Sequence, residues 1–230
     1  MLGALSGLIE QARKDRGAQW MIGLLFLCNA VLIGGVSIVN RIVGRVALGD
    51  LGLDRPAFDV ASDQSIPELF NYGQTLAAAG LLLASACARR EWAYSAWALI
   101  FGCVAVDDAF QLHESFGQSA WALANLPTLP GLRPMDGGEL VVWAGMAFLL
   151  FGLLGIALRT ASKEARAVSL VLFGTFVLLV FFGVGVDMVH VMIMDKGPKV
   201  DRLLSVIEDG GEMMALASSF SVSLLLYRRN

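Results

Sequence analysis

Apolar stretches separated by shorter polar segments follow one another along most of the chain. A helix that crosses a bilayer needs about 20 predominantly apolar residues. Six stretches meet that length, at residues 20–39, 70–88, 92–112, 139–158, 167–189 and 203–226. Residues 1–19 instead combine Leu and Ile with Arg13, Lys14 and Arg16, as an interfacial amphipathic helix does. The pattern predicts an all-α, polytopic membrane helix bundle, with an N-terminal amphipathic helix over 1–19 and a domain of six transmembrane helices over 20–230.

The composition supports a membrane protein and excludes several other classes. Hydrophobic residues make up 57% of the chain and charged residues 16%, and the mean hydropathy is +0.67, outside the range of soluble domains. A net charge of -3 gives no basis for nucleic-acid binding. The three cysteines lie in apolar stretches without Cys-x-x-Cys spacing, so neither a disulfide framework nor a thiolate metal site is expected. Membrane lipids are the expected partners.

The basic residues beside the predicted spans set the expected orientation, because Lys and Arg accumulate on the cytoplasmic side of a membrane protein. An even number of spans puts both termini on one side. That side would carry ten basic residues: Arg13, Lys14, Arg16, Arg89, Arg90, Arg159, Lys163, Arg166, Arg228 and Arg229. The other side carries seven, interleaved with acids, and the two long connections at 49–67 and 115–138. We expect a multi-pass protein of the bacterial inner membrane with both termini in the cytoplasm.

Acidic and histidine residues recur near the outer ends of the predicted spans, where charged side chains are costly and mark a site. At a helical rise of about 1.5 Å per residue, Asp107 lies about 22 Å from the inner boundary and Glu208 about 10 Å below the outer one. In an apolar core of about 30 Å these depths agree. Residues from four helices are thus expected in one layer of the outer half. The candidate site residues are Asp107, Asp108, His113, Glu114, Glu139, Asp187, His190, Glu208 and Glu212.

Helical spacing adds an expectation about which side chains face the site. Asp107, Gln111 and Glu114 share one helix face, because residues four and seven apart align along a helix. Asp108 and His113 point away from that face, which predicts a supporting role for one of them.

So many carboxylates beside two histidines cannot all stay ionised in an apolar layer, because like charges repel strongly there. Protons, basic partners or metal ions must neutralise them. Carboxylate and imidazole ligands suit iron, manganese or zinc, and Asp187-x-x-His190 is typical of one half of a dinuclear carboxylate site. The second half is replaced by the adjacent His113 and Glu114. The sequence predicts a site for one or two metal ions, with buried carboxyl–carboxyl or carboxyl–histidine hydrogen bonds as the alternative.

The end of the third predicted span resembles the acid-acid-x4-His-Glu motif of a broad group of uncharacterised bacterial six-span membrane proteins. Here the motif reads Val-Asp107-Asp108-Ala-Phe-Gln-Leu-His113-Glu114. A later span in that group opens with an acidic pair followed by Glu-Met, as Glu208-Asp209-Gly-Gly-Glu212-Met213 does. The resemblance runs from the third span onward and implies the same helix-bundle arrangement. A looser likeness links the chain to the ceramidase-like membrane hydrolases, which set His and Asp around a zinc ion. This likeness fails because the chain has only two histidines, too few for such a site.

Three functions from different classes fit these residues. The first is a metal-dependent enzyme acting on an apolar or lipidic substrate that enters from the outer leaflet; many carboxylates and few histidines favour iron or manganese redox chemistry over zinc hydrolysis. The second is a proton- or cation-coupled transporter, which needs a polar path through both halves of the bilayer. The third is a non-catalytic subunit of a larger membrane complex, docked through the acidic connection at 49–67. The sequence favours the enzyme, because its acids and histidines occupy only one half of the predicted bundle.

Overall fold

The computed structural model describes residues 2–42, 64–124, 127–128, 130–193 and 196–229. Within these ranges the chain forms helices and turns and no strand, which confirms the all-α prediction. Most of the connection predicted at 49–67 lies outside the described residues. The helical elements are α1 (Leu2–Lys14), α2 (Arg16–Ile42), α3 (Ile66–Arg89), α4 (Trp92–Phe110), α5 (Leu112–Ala124), α6 (Asp136–Thr160), α7 (Lys163–Val180), a π-helical segment (Phe181–Val186), α8 (Asp187–Ile193) and α9 (Pro198–Tyr227).

Four helical stretches in the described ranges are long and apolar enough to cross a membrane, which indicates a membrane protein. They are Arg16–Gly35, Trp92–Phe110, Asp136–Thr160 and Lys163–Ile193. Two of the six predicted spans, 70–88 and 203–226, are not among these four. The helices there, α3 and α9, are long, with 24 and 30 residues, but polar side chains interrupt them. Asn71, Gln74 and Thr75 lower the hydropathy of α3, and several acids and serines lower that of α9.

The polar residues of α3 make contacts inside the bundle. Asn29 Nδ2 of α2 donates to Gln74 Oε1 at 3.3 Å, and Gln74 Nε2 donates back to Asn29 Oδ1 at 3.4 Å. Gln74 Nε2 also donates to the carbonyl oxygen of Met213 in α9 at 3.3 Å. Asn29 and Gln74 are both buried. Hydrogen bonds of this kind hold helices together in apolar surroundings, so α2, α3 and α9 are joined at this level.

An aromatic cluster forms the centre of the apolar core. Trp97 of α4 stacks on Phe101 with ring centroids 5.9 Å apart, and it meets the edge of Phe151 of α6 at 6.1 Å. Phe176 of α7 lies 5.1 Å from Phe151. Stacked and edge-to-face pairs are the favoured arrangements of aromatic rings. Buried leucines of α3, α7 and α9 surround the cluster, so five helices share one core.

Ion pairs gather several helix ends at one end of the bundle. Arg89 at the end of α3 and Arg229 after α9 both contact Glu164 in the first turn of α7, at 3.1 and 2.8 Å. Arg228 lies 3.9 Å from Asp15, which separates α1 from α2. The start of α2, the α3–α4 turn, the start of α7 and the end of α9 therefore meet there. We call this the basic end.

Candidate functional site

A cavity of about 470 Å³ lies at the end of the bundle opposite the basic end. Every helix from α3 to α9 and the π-helical segment contribute to its wall. Eight of its lining residues are acids: Glu68, Asp108, Glu114, Glu139, Asp187, Glu208, Asp209 and Glu212. His113 and Arg133 also line it, as do apolar side chains that include Val104, Trp143 and Phe176. Among the described residues, the cavity is therefore strongly acidic on one part of its wall and apolar on another.

The structure brings seven of the nine predicted site residues to this cavity. They are Asp108, His113, Glu114, Glu139, Asp187, Glu208 and Glu212. The remaining two, Asp107 and His190, lie behind the wall. Asp107 contacts His113, and His190 contacts Glu208.

A turn at Gln111 decides which side chains of the acid-acid-x4-His-Glu motif face the cavity. Gln111 has a φ of 49°, in the left-handed region, and separates α4 from α5. The prediction of one continuous face through Asp107, Gln111 and Glu114 is wrong, because a new helix axis begins after the turn. Gln111 and Glu114 line the cavity as expected, but so do Asp108 and His113. Asp107, expected in the wall, instead contacts His113 from behind it.

Asp107 holds His113 by two hydrogen bonds. Its Oδ1 accepts from the His113 backbone N–H at 2.9 Å, and its Oδ2 lies 2.8 Å from the ring Nδ1. An ionised carboxylate can only accept, so Nδ1 carries the hydrogen and Nε2 of the neutral ring keeps its lone pair. Burial lowers the pKa of His113, but the hydrogen bond to Asp107 and the neighbouring carboxylates outweigh this effect and raise the pKa above its ordinary value.

The second histidine lies between two carboxylates. Nδ1 of His190 is 2.9 Å from Glu208 Oε2, and Nε2 is 3.0 Å from Asp201 Oδ1. Both contacts are satisfied together when the ring is a doubly protonated imidazolium, which has two N–H donors. These contacts join α8 to α9 and fix the Glu208 side chain at the cavity wall.

Arg133, in the cavity wall, pairs with Asp136 at the start of α6. Asp136 is fully buried and accepts from the Arg133 backbone N–H at 2.7 Å and from its Nε at 2.8 Å. Burial lowers the pKa of the Arg133 guanidinium, but the hydrogen bond to Asp136 and the nearby carboxylates outweigh it and raise the pKa. In the sequence Arg133 falls within the long connection predicted at 115–138, whereas its side chain lies in the cavity wall.

Six polar residues of the wall fall outside the predicted set: Glu68, Asn71, Tyr72, Gln111, Arg133 and Asp209. The Tyr72 hydroxyl donates to Glu68 Oε1 at 2.5 Å and lies 3.3 Å from the backbone carbonyl oxygen of Asp108. In the sequence Glu68 adjoins the acidic connection, so it resembles a loop residue. The signal that could have found it is the capping spacing Ser65-x-x-Glu68. Ser65 Oγ indeed accepts from the Glu68 backbone N–H at 3.3 Å and starts α3 there.

Glycines allow two close approaches beside the cavity. A Cβ at Gly138 of α6 would overlap the backbone of Gly117 in α5, and one at Gly117 would overlap Glu139. A Cβ at Gly183, in the π-helical segment, would overlap the carboxylate of Glu212. Helix α5 thus lies directly on α6, and Glu212 lies directly on the π-helical segment. Such segments are frequent at functional sites.

The acids are distributed around the cavity wall. In the part of the chain that the structure describes, no three His, Cys, Asp or Glu side chains stand close enough together to hold a metal ion. Both histidines instead make hydrogen bonds to carboxylates, which is the alternative arrangement named for this layer.

Comparison with known protein families gives a match over residues 18–226. No curated protein and no solved structure matches this chain. The family match agrees with the resemblance to an uncharacterised family and lends no support to the likeness to ceramidase-like hydrolases. The chain belongs to the family described as Domain of unknown function (DUF8692).

Proposed function

We propose that this protein binds a divalent or trivalent metal ion in its acidic cavity and acts as a metal-dependent enzyme on an apolar or lipidic substrate. The observation that carries the proposal is the Asp107–His113 pair in the wall of a cavity lined by eight acids. A histidine that binds a metal through one ring nitrogen almost always donates the other N–H to a carboxylate, carbonyl or water. Asp107 accepts a hydrogen bond from Nδ1–H of His113, so the ring Nε2 is available to bind a metal.

The charge of the cavity favours a cation. Besides Asp209, seven carboxylates line the cavity with one guanidinium and one imidazole, so acidic groups outnumber basic ones in the described wall and like charges repel. This repulsion keeps the carboxylates apart, which agrees with the lack of a preformed group of three within the described residues. A metal ion would draw them together, and water can complete its coordination.

The residues that would hold the metal are the seven predicted ones that line the cavity. They are Asp108, His113, Glu114, Glu139, Asp187, Glu208 and Glu212. Asp107 would orient His113, and His190 would orient Glu208. A set with one available imidazole and many carboxylates suits one or two ions of iron or manganese better than zinc.

The aromatic rings between the cavity and the basic end favour an enzyme over a transporter. Phe176 lines the cavity and packs on the aromatic cluster, 6.4 Å from Trp97 and 6.5 Å from Phe101 between ring centroids. Both of those rings are fully buried. A coupled transporter needs polar groups along a path through both halves of the bilayer. Here apolar rings lie where that path would continue toward the basic end.

The apolar part of the wall supports a substrate that comes from the lipid. Val180 lines the cavity and is also 41% exposed on the outside of the bundle. The next residue, Phe181, is 57% exposed. Trp143 of α6 faces the same cavity from the other helix. An apolar molecule could therefore reach the acidic wall between α6 and the π-helical segment without crossing water.

We further propose that α3 and α9 cross the bilayer together with the four apolar helices. Helix α3 runs from Glu68 at the cavity to Arg89 at the basic end, and α9 runs from Glu208 at the cavity to Arg229 beyond its end. Six crossings place both termini at the basic end. The positive-inside rule assigns that end to the cytoplasm of a bacterial inner membrane, and the cavity then lies in the outer half.

Metal analysis of the detergent-purified protein tests the proposal. Each variant is stripped with a chelator, reloaded with iron, manganese or zinc, and desalted. Wild type should retain near-stoichiometric metal, and His113→Gln and Glu208→Gln should lose most of it. Glu10→Gln is the matched control, because Glu10 is exposed in α1 and pairs with Lys14. Equal, negligible metal in all four proteins would overturn the metal proposal and leave hydrogen-bonded carboxylate–histidine pairs as the role of this layer.

A second measurement tests the enzymatic part. Membrane lipids from cells that produce wild type are compared by mass spectrometry with those from cells that produce His113→Gln. An enzyme acting on a lipidic substrate should change at least one lipid species in the wild-type membranes alone. Identical lipids, together with retained metal in the wild type, would favour the accessory-subunit alternative.

A further inference from the structure

A second crevice, of about 270 Å³, lies between α4 and the α6–α7 hairpin, near the basic end. Most of its lining residues are apolar, but they include Trp97, which carries an indole N–H, and Ser169, which carries a hydroxyl. Both residues are buried, with 0% and 4% of their surface exposed. Trp97 Nε1 and Ser169 Oγ have no hydrogen-bond partner among the described residues.

Ser169 differs in this respect from other helical serines of the chain. Ser85 and Ser223, for example, donate to the carbonyl four residues earlier in their own helices, at 2.9 and 2.8 Å. A buried donor without an acceptor is costly, above all in apolar surroundings. Two such donors in one crevice point to an acceptor oxygen from a ligand.

Arg166 adds a positive charge at the mouth of the crevice. Its Nε and Nη2 donate to the carbonyl oxygens of Leu158 and Arg159 at 3.1 and 3.0 Å, which fixes the guanidinium at the end of α6. Ser169 lies three residues further along α7, or about 4.5 Å deeper by the helical rise. The crevice thus offers a cation near the membrane surface and hydrogen-bond donors one turn below it.

The apolar part of the crevice continues toward the middle of the bilayer. Leu170 and Phe173 line it and are 51% and 44% exposed on the outside of the bundle. Phe151 and Phe173 meet edge-on at 5.7 Å at its deeper part. The order from the basic end inward is therefore cation, donors, apolar surface. A phospholipid has the matching order of phosphate, ester carbonyls and acyl chains.

We propose that this crevice binds a glycerophospholipid of the leaflet at the basic end. An ester carbonyl oxygen accepts from Trp97 Nε1 and Ser169 Oγ, and the phosphate lies beside Arg166. Basic pockets between transmembrane helices are known sites for lipid headgroups. The buried aromatic cluster separates this crevice from the acidic cavity, so the lipid site requires neither the metal nor the proposed activity.

Thermal unfolding in dodecyl maltoside, with and without dioleoyl phosphatidylglycerol, tests the proposal, with bound lipid counted by native mass spectrometry. Wild type should melt at a higher temperature with the lipid and carry it. Ser169→Ala removes one donor with little change of shape, and without lipid it should melt at or above the wild-type temperature, because an unsatisfied donor is gone. Trp97→Phe removes the other donor together with part of a buried ring, so its response to lipid is compared with its own melting temperature without lipid. With lipid both variants should lose at least half of the wild-type increase. Trp92→Phe, at an exposed position of α4, and Ser85→Ala are the matched controls and should keep the full increase.

Arg166→Gln distinguishes recognition of the lipid phosphate from recognition of the ester carbonyls. It should weaken the response to phosphatidylglycerol and leave unchanged the response to dioleoylglycerol, which has the ester carbonyls without the phosphate. The proposal is overturned if wild type does not respond to phosphatidylglycerol, or if Trp97→Phe and Ser169→Ala respond as fully as the controls. It is equally overturned if Ser169→Ala is destabilised without lipid, because the Ser169 hydroxyl would then have a partner within the protein.

Discussion

The close approach of α5 to α6 at Gly117 and Gly138 makes Gly138→Ala a direct test of the cavity wall. The added methyl group would overlap the backbone of Gly117. A backbone has no alternative rotamer, so the two helices must move apart. His113 lies on α5 and Glu139 on α6, and both line the cavity. Separation of the helices would therefore alter the site as well as the packing.

The expected size of the effect follows from two opposing terms. Overpacking a tight contact costs about 1–3 kcal/mol, while Ala in place of Gly stabilises a helix interior by about 1 kcal/mol. Gly138→Ala should therefore lower the free energy of unfolding by up to about 2 kcal/mol. Gly145→Ala, in the same helix, places its methyl group where no atom lies within 4 Å. In this control only the higher helix propensity of Ala should act, so its free energy of unfolding should rise by about 1 kcal/mol.

Thermal unfolding of both variants in one detergent, followed by circular dichroism of the helices, measures the difference. One kcal/mol corresponds to about 2–4 °C in melting temperature for a chain of this size, so Gly138→Ala should melt several degrees below Gly145→Ala. It should also bind metal more weakly. Equal melting temperatures would refute the reasoning, because they would show that α5 and α6 are not in backbone contact at this point.

Three further predictions concern charge, topology and pH. Glu212→Gln removes one acidic group from the crowded cavity and should stabilise the chelator-treated protein by about 1 kcal/mol in thermal unfolding, while weakening metal binding; a destabilised variant with full metal would contradict this. A reporter fused after Arg229 should be cytoplasmic and one inserted at 49–67 periplasmic, and both on one side would exclude six crossings. Metal affinity should fall as the pH falls through the raised pKa of His113, because protons then compete for the ring. Asp107→Asn should move that midpoint to lower pH, since it removes a carboxylate that raises the pKa; an unmoved midpoint would exclude His113 as a ligand.

Hydropathy located the apolar helices well because their side chains face either lipid or the aromatic cluster. Phe148 and Leu149 of α6, for instance, are 81% and 67% exposed on the outside of the bundle. Helices α3 and α9 differ because many of their polar side chains line the cavity or make hydrogen bonds inside the bundle. In the Asn29–Gln74 pair, for example, two amides satisfy each other in the structure, yet each lowers the average hydropathy of its helix.

The convergence of acids could be predicted because depth in a helix follows from residue number. Which side chains of the acid-acid-x4-His-Glu motif face the cavity could not be predicted, because this depends on the turn at Gln111. Glutamine is neither Gly nor Asn, the residues that favour the left-handed region, so nothing in the sequence marks this break. The turn brings His113 back onto Asp107, six residues earlier, and no helical spacing predicts that contact.

The π-helical segment Phe181–Val186 determines the rotation of everything that follows it up to Ile193. Each residue of a regular helix turns the chain by about 100°. Removing one residue, such as Gly185, would restore a regular helix and swing Asp187 away from the cavity. His190 would move with it and lose Glu208. Deletion of a single codon could thus remove Asp187 and His190 from the acidic layer although the gene still encodes every charged residue. The reverse insertion could place them there. Evolution therefore has a one-step route between a helix bundle without this polar site and one that has it.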